Sequence, residues 1–191
     1  MILANKGFEA GFSCISLIGM AGAGKTTVGA ALARELAWAF LDTDFLMEAL
    51  YATRLQDITD ALPAGEFLDL EAGMIEAVSA SHCVIATGGS VVYRPRAMEK
   101  LNGLGPVIYI HADFPQIEKR IAEKPERGLV MDKGQTLASI YAERQPLYEK
   151  YSCFTCDSGL FSVGECIKRI IGYLNGIKSE CDTASKTAIS D

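Results

Sequence analysis

Residues 19–26 read Gly-Met-Ala-Gly-Ala-Gly-Lys-Thr, a G-x-x-x-x-G-K-T loop, and what flanks it constrains the fold more than any other feature of the chain. Before it stands Cys14-Ile15-Ser16-Leu17-Ile18, a short apolar run that reads as a buried strand. After it, Val28, Ala31, Leu32 and Leu36 share one face at helical spacing. Strand, glycine loop and helix in that order form the context in which this motif cradles a polyphosphate, and they argue against a chance glycine-rich turn. The glycines let backbone N–H groups turn inward, and the helix N-terminus adds the positive end of its dipole. Lys25 is placed to reach the outer phosphates and the Thr26 hydroxyl to ligate a magnesium ion (Mg²⁺). The expected ligands are therefore a nucleoside triphosphate and Mg²⁺, with Gly22, Ala23, Gly24, Lys25, Thr26 and Thr27 around the phosphates.

Further along, apolar runs alternate with longer helical stretches, which predicts an α/β fold on a largely parallel sheet. Strands are expected at 14–18, 39–41, 83–87, 107–110 and 152–155. Helices are expected near 25–37, 44–52, 65–80, 94–101, 114–123, 135–149 and 163–175. Five strands with helices on both faces give a three-layer α/β/α sandwich whose ligands gather at the carboxyl ends of the strands. The 191 residues suit one domain. Residues 1–12 read as an N-terminal extension, 13–175 as the folded unit, 124–134 as a Gly-, Pro- and charge-rich lid, and 176–191 as a frayed tail without apolar period.

A net charge of −6 argues against nucleic acid and against an anionic membrane as partners. No stretch approaches the ~20 apolar residues of a membrane span, and the first residues lack the marks of a secretory signal. The expectation is a cytoplasmic monomer acting on a small molecule. The six cysteines are scattered, and Cys153-Phe154-Thr155-Cys156 is a single C-x-x-C without a second pair. These read as small buried hydrophobes in a strand rather than a zinc or redox site, and His82 and His111 read as structural.

The second expected strand ends in Leu41-Asp42-Thr43-Asp44. Two acids one residue apart beside a phosphate loop divide naturally into one that holds Mg²⁺ through water and one that meets the hydroxyl to be phosphorylated. Either could instead cap the next helix. Thr87-Gly88-Gly89-Ser90 follows the third strand, where paired glycines permit close approach of a ligand. Lys119, Arg120, Lys124, Arg127, Lys133 and Arg144 follow, and phosphoryl transfer calls for a lid cation on the migrating charge. For Lys119 and Lys124 an ordinary charged helix face is the simpler reading.

Taken in order, the G-K-T loop, L-D-T-D, T-G-G, a lid arginine and Glu143-Arg144-Gln145-Pro146-Leu147-Tyr148 resemble the shikimate kinases over about residues 13–175. The resemblance implies sheet order 2-3-1-4-5 and transfer of the γ-phosphoryl of ATP to an alcohol. It implies that Asp42 serves Mg²⁺, Asp44 the acceptor hydroxyl, Arg127 the phosphates and Arg144 the acceptor carboxylate. Arg120 falls where the family stacks a cation on adenine. Gly88, Gly89 and Ser90 fall on the acceptor pocket.

Two departures sit in that pocket. The family's F-R-x-x-E is Phe67-Leu68-Asp69-Leu70-Glu71 here, so Leu68 stands where an arginine would clamp the acceptor carboxylate. The family's third glycine is Ser90. Loss of one partner of a buried charge pair costs about 2–5 kcal/mol. Arg54, Arg94 and Arg96 are the nearby candidates to replace it. A less cationic pocket suits a zwitterion, so a hydroxy amino acid such as L-homoserine is the first expectation, shikimate the alternative, and an inactive ATP-binding paralogue the third. A regulatory GTPase would need N-K-x-D, and a motor or transport ATPase an acid at the end of its third strand; the chain has neither.

Overall fold

The computed structural model describes residues 11–123 and 134–187, with side chains through 177. Within them β1 (Cys14–Ile18) is buried at every position, a pattern that only a strand covered on both faces shows. With β2 (Ala39–Asp42), β3 (Cys83–Ala86), β4 (Val107–His111) and β5 (Phe154–Asp157) it forms one parallel sheet of order β2-β3-β1-β4-β5. The expected order and layering hold. β1 lies at the centre, paired to β3 on one side and β4 on the other, so the loop leaving it opens between two strand ends.

The helices are α1 (Lys25–Leu36), α2 (Thr43–Tyr51), α3 (Leu55–Ala61), α4 (Ala64–Ala77), α5 (Pro95–Leu104), α6 (Phe114–Ala122), α7 (Leu137–Tyr151) and α8 (Val163–Thr187). Buried Val28, Leu32 and Leu36 of α1 pack with Cys166, Ile170 and Leu174 of α8, each set recurring at helical spacing. Pro95 and Pro115 stand in the first turns of α5 and α6, where a missing N–H costs nothing.

Three details differ from the sequence pattern. α3 was not expected; it is too short to display a period, and it forms because Leu55 and Ile58 bury against Met47 and Phe67 in a small second core. β5 starts two residues late, since α7 runs to Tyr151 and Ser152 closes it through a bond to the Tyr148 carbonyl. That shift leaves Cys153 exposed ahead of the strand while Cys156 is buried within it, correcting the reading of both as buried. The backbone of α8 continues through Thr187, past the end of the apolar period, since no proline interrupts a helix already anchored by its first three turns. Most of the expected extension, 1–10, and most of the expected lid, 124–133, lie outside the described residues, as do 188–191.

At Gly29 α1 lies close against the sheet, and a Cβ there would meet Phe40 at 2.7 Å and Leu17 at 3.0 Å. Gly29→Val is expected to lower stability by about 1–3 kcal/mol through overpacking. Urea unfolding should show a lower midpoint at unchanged m; an unchanged midpoint would mean that α1 can shift outward at no cost.

Candidate active site

The loop after β1 turns into α1 at Gly24, which sits at φ 96°, a left-handed conformation that disfavours any side chain. Lys25, 8% exposed, donates to the carbonyls of Gly19 and Met20, each at 2.8 Å, so its ammonium is folded over the loop it belongs to. Thr26 Oγ1 donates to Asp42 Oδ2 at 2.7 Å. The other oxygen of Asp42 accepts from the Asp44 N–H at 3.0 Å and caps α2. Asp42 thus caps α2, the reading set against a metal role in the sequence, while its other oxygen meets the phosphate loop. A hydroxyl and a carboxylate side by side are hard oxygen donors of the kind Mg²⁺ takes, and the α2 cap fixes the carboxylate's orientation. These two residues fit the ion.

Beside the loop, a cavity of about 270 Å³ is lined by Gly22, Gly24, Thr27, Arg120, Ser158 and Phe161 among others. Arg120 donates to the carbonyls of Gly22 and Ser158, both at 3.1 Å, which fixes its guanidinium at the cavity wall. Ser158 in turn bonds the Ala23 and His111 carbonyls, tying the end of β5 to the phosphate loop. Sequence reading missed Ser158, since a lone serine after a strand carries no signal. Lys119 is exposed on α6, as the simpler reading had it. Arg127, Lys124 and Lys133 lie outside the described residues.

On the other side of the loop the ends of β2 and β3 meet α4 and α7. Thr43, between the two acids, accepts from the Gly88 N–H at 3.1 Å. A Cβ on Gly88 would run into Glu71 Oε1 and stand 3.0 Å from Asp44 Oδ1; one on Gly89 would stand 3.3 Å from an Arg144 nitrogen. Arg144, 2% exposed, donates through Nε to the Tyr93 hydroxyl at 3.2 Å, and its guanidinium lies 5.0 Å from that ring's centre. One turn further on α7, Tyr148 donates to the Gly89 carbonyl at 2.5 Å. The R-x-x-x-Y spacing thus delivers both side chains to one strand end.

Asp44, Gly88, Gly89, Ser90 and Arg144 therefore converge on the same strand ends. Glu71 and Tyr93 join them without having been singled out. A signal for Glu71 existed: α4 buries Phe67, Ala72 and Ile75, and an acid on that apolar stripe is anomalous. Glu71, 2% exposed, accepts from Ser90 Oγ at 2.7 Å. Burial, with the nearby Asp44 charge, pushes its carboxyl up to about 7, against the pull of Ser90, Arg144 and Lys25.

Leu68 is half-buried on α4. Two of the arginines that could stand in for a missing cation point elsewhere. Arg94 pairs with Asp69 at 2.9 Å and donates to the Gly65 carbonyl, while Arg96 pairs with Asp69 at 3.1 Å and Glu76 at 3.7 Å. Arg54 is the residue before α3. Among the described residues, no group of three His, Cys, Asp or Glu could hold a metal, and no helix is long and apolar enough to cross a membrane.

A family model described as shikimate kinase matches residues 21–175. A shikimate kinase of Cupriavidus pinatubonensis is 34% identical over 180 residues, covering 93% of this chain and 94% of that protein. The solved shikimate kinase of Acinetobacter baumannii in complex with shikimate superposes with TM-score 0.80 at 27% identity, over 88% of this chain and 96% of that one. A gluconokinase of Sinorhizobium meliloti, at TM-score 0.60 and 14% identity over 93% and 99% of the two chains, shares the fold.

The raised carboxyl of Glu71 links stability to pH. Its folded-state value lies above the ordinary 4.5, so the group contributes most below that pH and loses its contribution as pH rises through about 7. The melting temperature of the wild type relative to Glu71→Gln should fall across that window in differential scanning calorimetry. A difference independent of pH would mean that Glu71 is ionised in the folded state throughout.

Proposed function

This chain belongs to the shikimate kinase family, and we propose that it transfers the γ-phosphoryl of ATP to the hydroxyl of a small, carboxylate-bearing metabolite. One observation carries the reading: phosphate loop, paired acids and a buried arginine open onto one another across the strand ends. In the proposed reaction the acceptor oxygen attacks the γ-phosphorus in line, the bond to the β,γ-bridging oxygen breaks, and ADP leaves. Asp44 orients the hydroxyl and takes its proton. Lys25 swings from the Gly19 and Met20 carbonyls to the phosphates, and Arg127 joins it on the developing charge. Thr26 and Asp42 would hold Mg²⁺, which neutralises phosphate charge when bound. Arg144, held by Tyr93, grips the acceptor carboxylate, with Gly88, Gly89, Ser90 and Leu68 shaping the pocket. Gly22, Ala23, Gly24 and Thr27 cradle the phosphates, and the cavity at Arg120 receives the nucleoside.

For the acceptor, the relatives support shikimate better than the hydroxy amino acid first expected from the sequence. A second reading, an acceptor such as L-homoserine, rests on one feature of the pocket: Leu68 supplies no cation and Asp69 holds both Arg94 and Arg96. Coupled ADP release with each acceptor at equal millimolar concentration separates the two. Turnover with shikimate makes Leu68 a tolerated change; turnover with L-homoserine alone makes it a mark of altered specificity; silence with both, while ATP still binds, favours a paralogue that binds ATP without using it.

Asp44→Asn and Lys25→Ala are each expected to lower kcat by about 10²–10⁴, Asp44→Asn at an unchanged melting temperature. Wild-type kcat in Asp44→Asn would remove that acid from the reaction. Leu68→Arg should raise kcat/KM for shikimate by about tenfold or more, as a restored charge partner would; no gain would mean that the pocket is rebuilt beyond this position.

A further inference from the structure

The charges at the acceptor end are sorted. Gly88 faces Glu71 and Asp44, whereas Gly89, the next residue, faces Arg144. One strand end thus presents an acidic corner and a basic corner a residue apart. Ser90 holds Oε2 of Glu71 at 2.7 Å, while Oε1 points toward Gly88 and the acid of α2. Leu68, one turn earlier on α4, supplies no cation to this carboxylate, and Arg94 and Arg96, at the start of α5, are committed to Asp69. Even with Arg144 and Lys25 nearby, burial and the Asp44 charge hold the Glu71 carboxyl toward its neutral form, and a further positive charge on a ligand would favour the ionised one.

We propose that Glu71, oriented by Ser90, recognises a protonated amine on the acceptor, while Arg144 takes the acceptor's carboxylate and Asp44 its hydroxyl. The pocket is then built for a small α-amino acid with a side-chain hydroxyl, a conclusion that rests on the hydroxy amino acid reading of the same site. An ammonium beside Glu71 draws its carboxyl back toward the ionised form, adding to the pull that Arg144 and Lys25 already exert. Ser90 acts through Glu71 and is a positioning residue. A hydroxy acid without the amine leaves the buried Glu71 and the half-buried Asp44 facing its own carboxylate.

The test uses the full chain with Mg²⁺ and a non-hydrolysable ATP analogue, titrated calorimetrically with L-homoserine, with 4-hydroxybutanoate (the same skeleton lacking the amine) and with shikimate. Steady-state kinetics are run in parallel with ATP. The wild type is expected to favour L-homoserine over 4-hydroxybutanoate by about 100-fold, the scale of a buried charge pair. Glu71→Gln should cut that preference to under about tenfold, chiefly through KM, and Ser90→Gly should cut it less. Should Glu71→Gln fail to fold, Leu68→Arg gives an independent reading, since a guanidinium beside Glu71 should compete with the amine and shift preference toward shikimate. Equal affinity for the amine-bearing and amine-free acceptors, or an undiminished preference in Glu71→Gln, would overturn the proposal. Turnover of shikimate without any preference for an amine would overturn it and leave the kinase reading standing. Amine-dependent binding without turnover would uphold it and overturn the kinase reading.

Discussion

Where parallel strands end, their backbone groups lose ladder partners, and the way these are satisfied organises everything else in this molecule. The Thr87 N–H and hydroxyl both reach the Leu17 carbonyl, so the ends of β1 and β3 are locked together. Thr43 takes the Gly88 N–H, Tyr148 meets the Gly89 carbonyl, and Lys25 covers the carbonyls of Gly19 and Met20. Ser158 performs the same service for Ala23 and His111. Apart from the local Lys25 bonds, each tie joins elements distant in sequence, and together they fix the floor on which the charged side chains stand.

Those charged side chains are the second feature of the molecule. An acidic chain buries Lys25, Asp42, Glu71 and Arg144 within one region. Charges so placed act in a medium far less polarisable than water, so each strongly feels the others. A protein built this way can discriminate acceptors by the sign of the charge at one position, with little change in shape. Family membership narrows the reaction and the nucleotide, because the phosphate loop and the acid beside it are intact. In the proposed reaction the acceptor is decided locally, by the neighbours of Glu71 and Arg144.

Leu68 and Ser90 bear on this together. One removes a cation from the helix that carries Glu71, and the other adds a hydroxyl that holds the same carboxylate. Asp69 completes the arrangement from outside by engaging Arg94 and Arg96 on the solvent face. Two residues along α4 thus separate an exposed ion-pair cluster from a buried acid, and both follow from the side of α4 on which each residue falls.

Much of this was legible in the sequence. Glycine spacing and apolar period gave the phosphate loop, the strands and most helices, because those signals are local: backbone freedom, side-chain alternation and helical repeat act over a few residues. The order of the strands came with the family resemblance, and the sheet has that order. The tertiary structure alone decided what depends on distant partners. It placed Glu71 against Ser90, nineteen residues away, and Tyr148 on Gly89, fifty-nine away. It also turned Arg94 and Arg96 to Asp69 and made a helix of Leu55–Ala61, too short to announce itself, through a core it shares with Met47 and Phe67. Sequence spacing sets which residue types can do a piece of chemistry; only packing decides which of them face one another, because burial and charge pairing belong to contacts and not to positions along the chain.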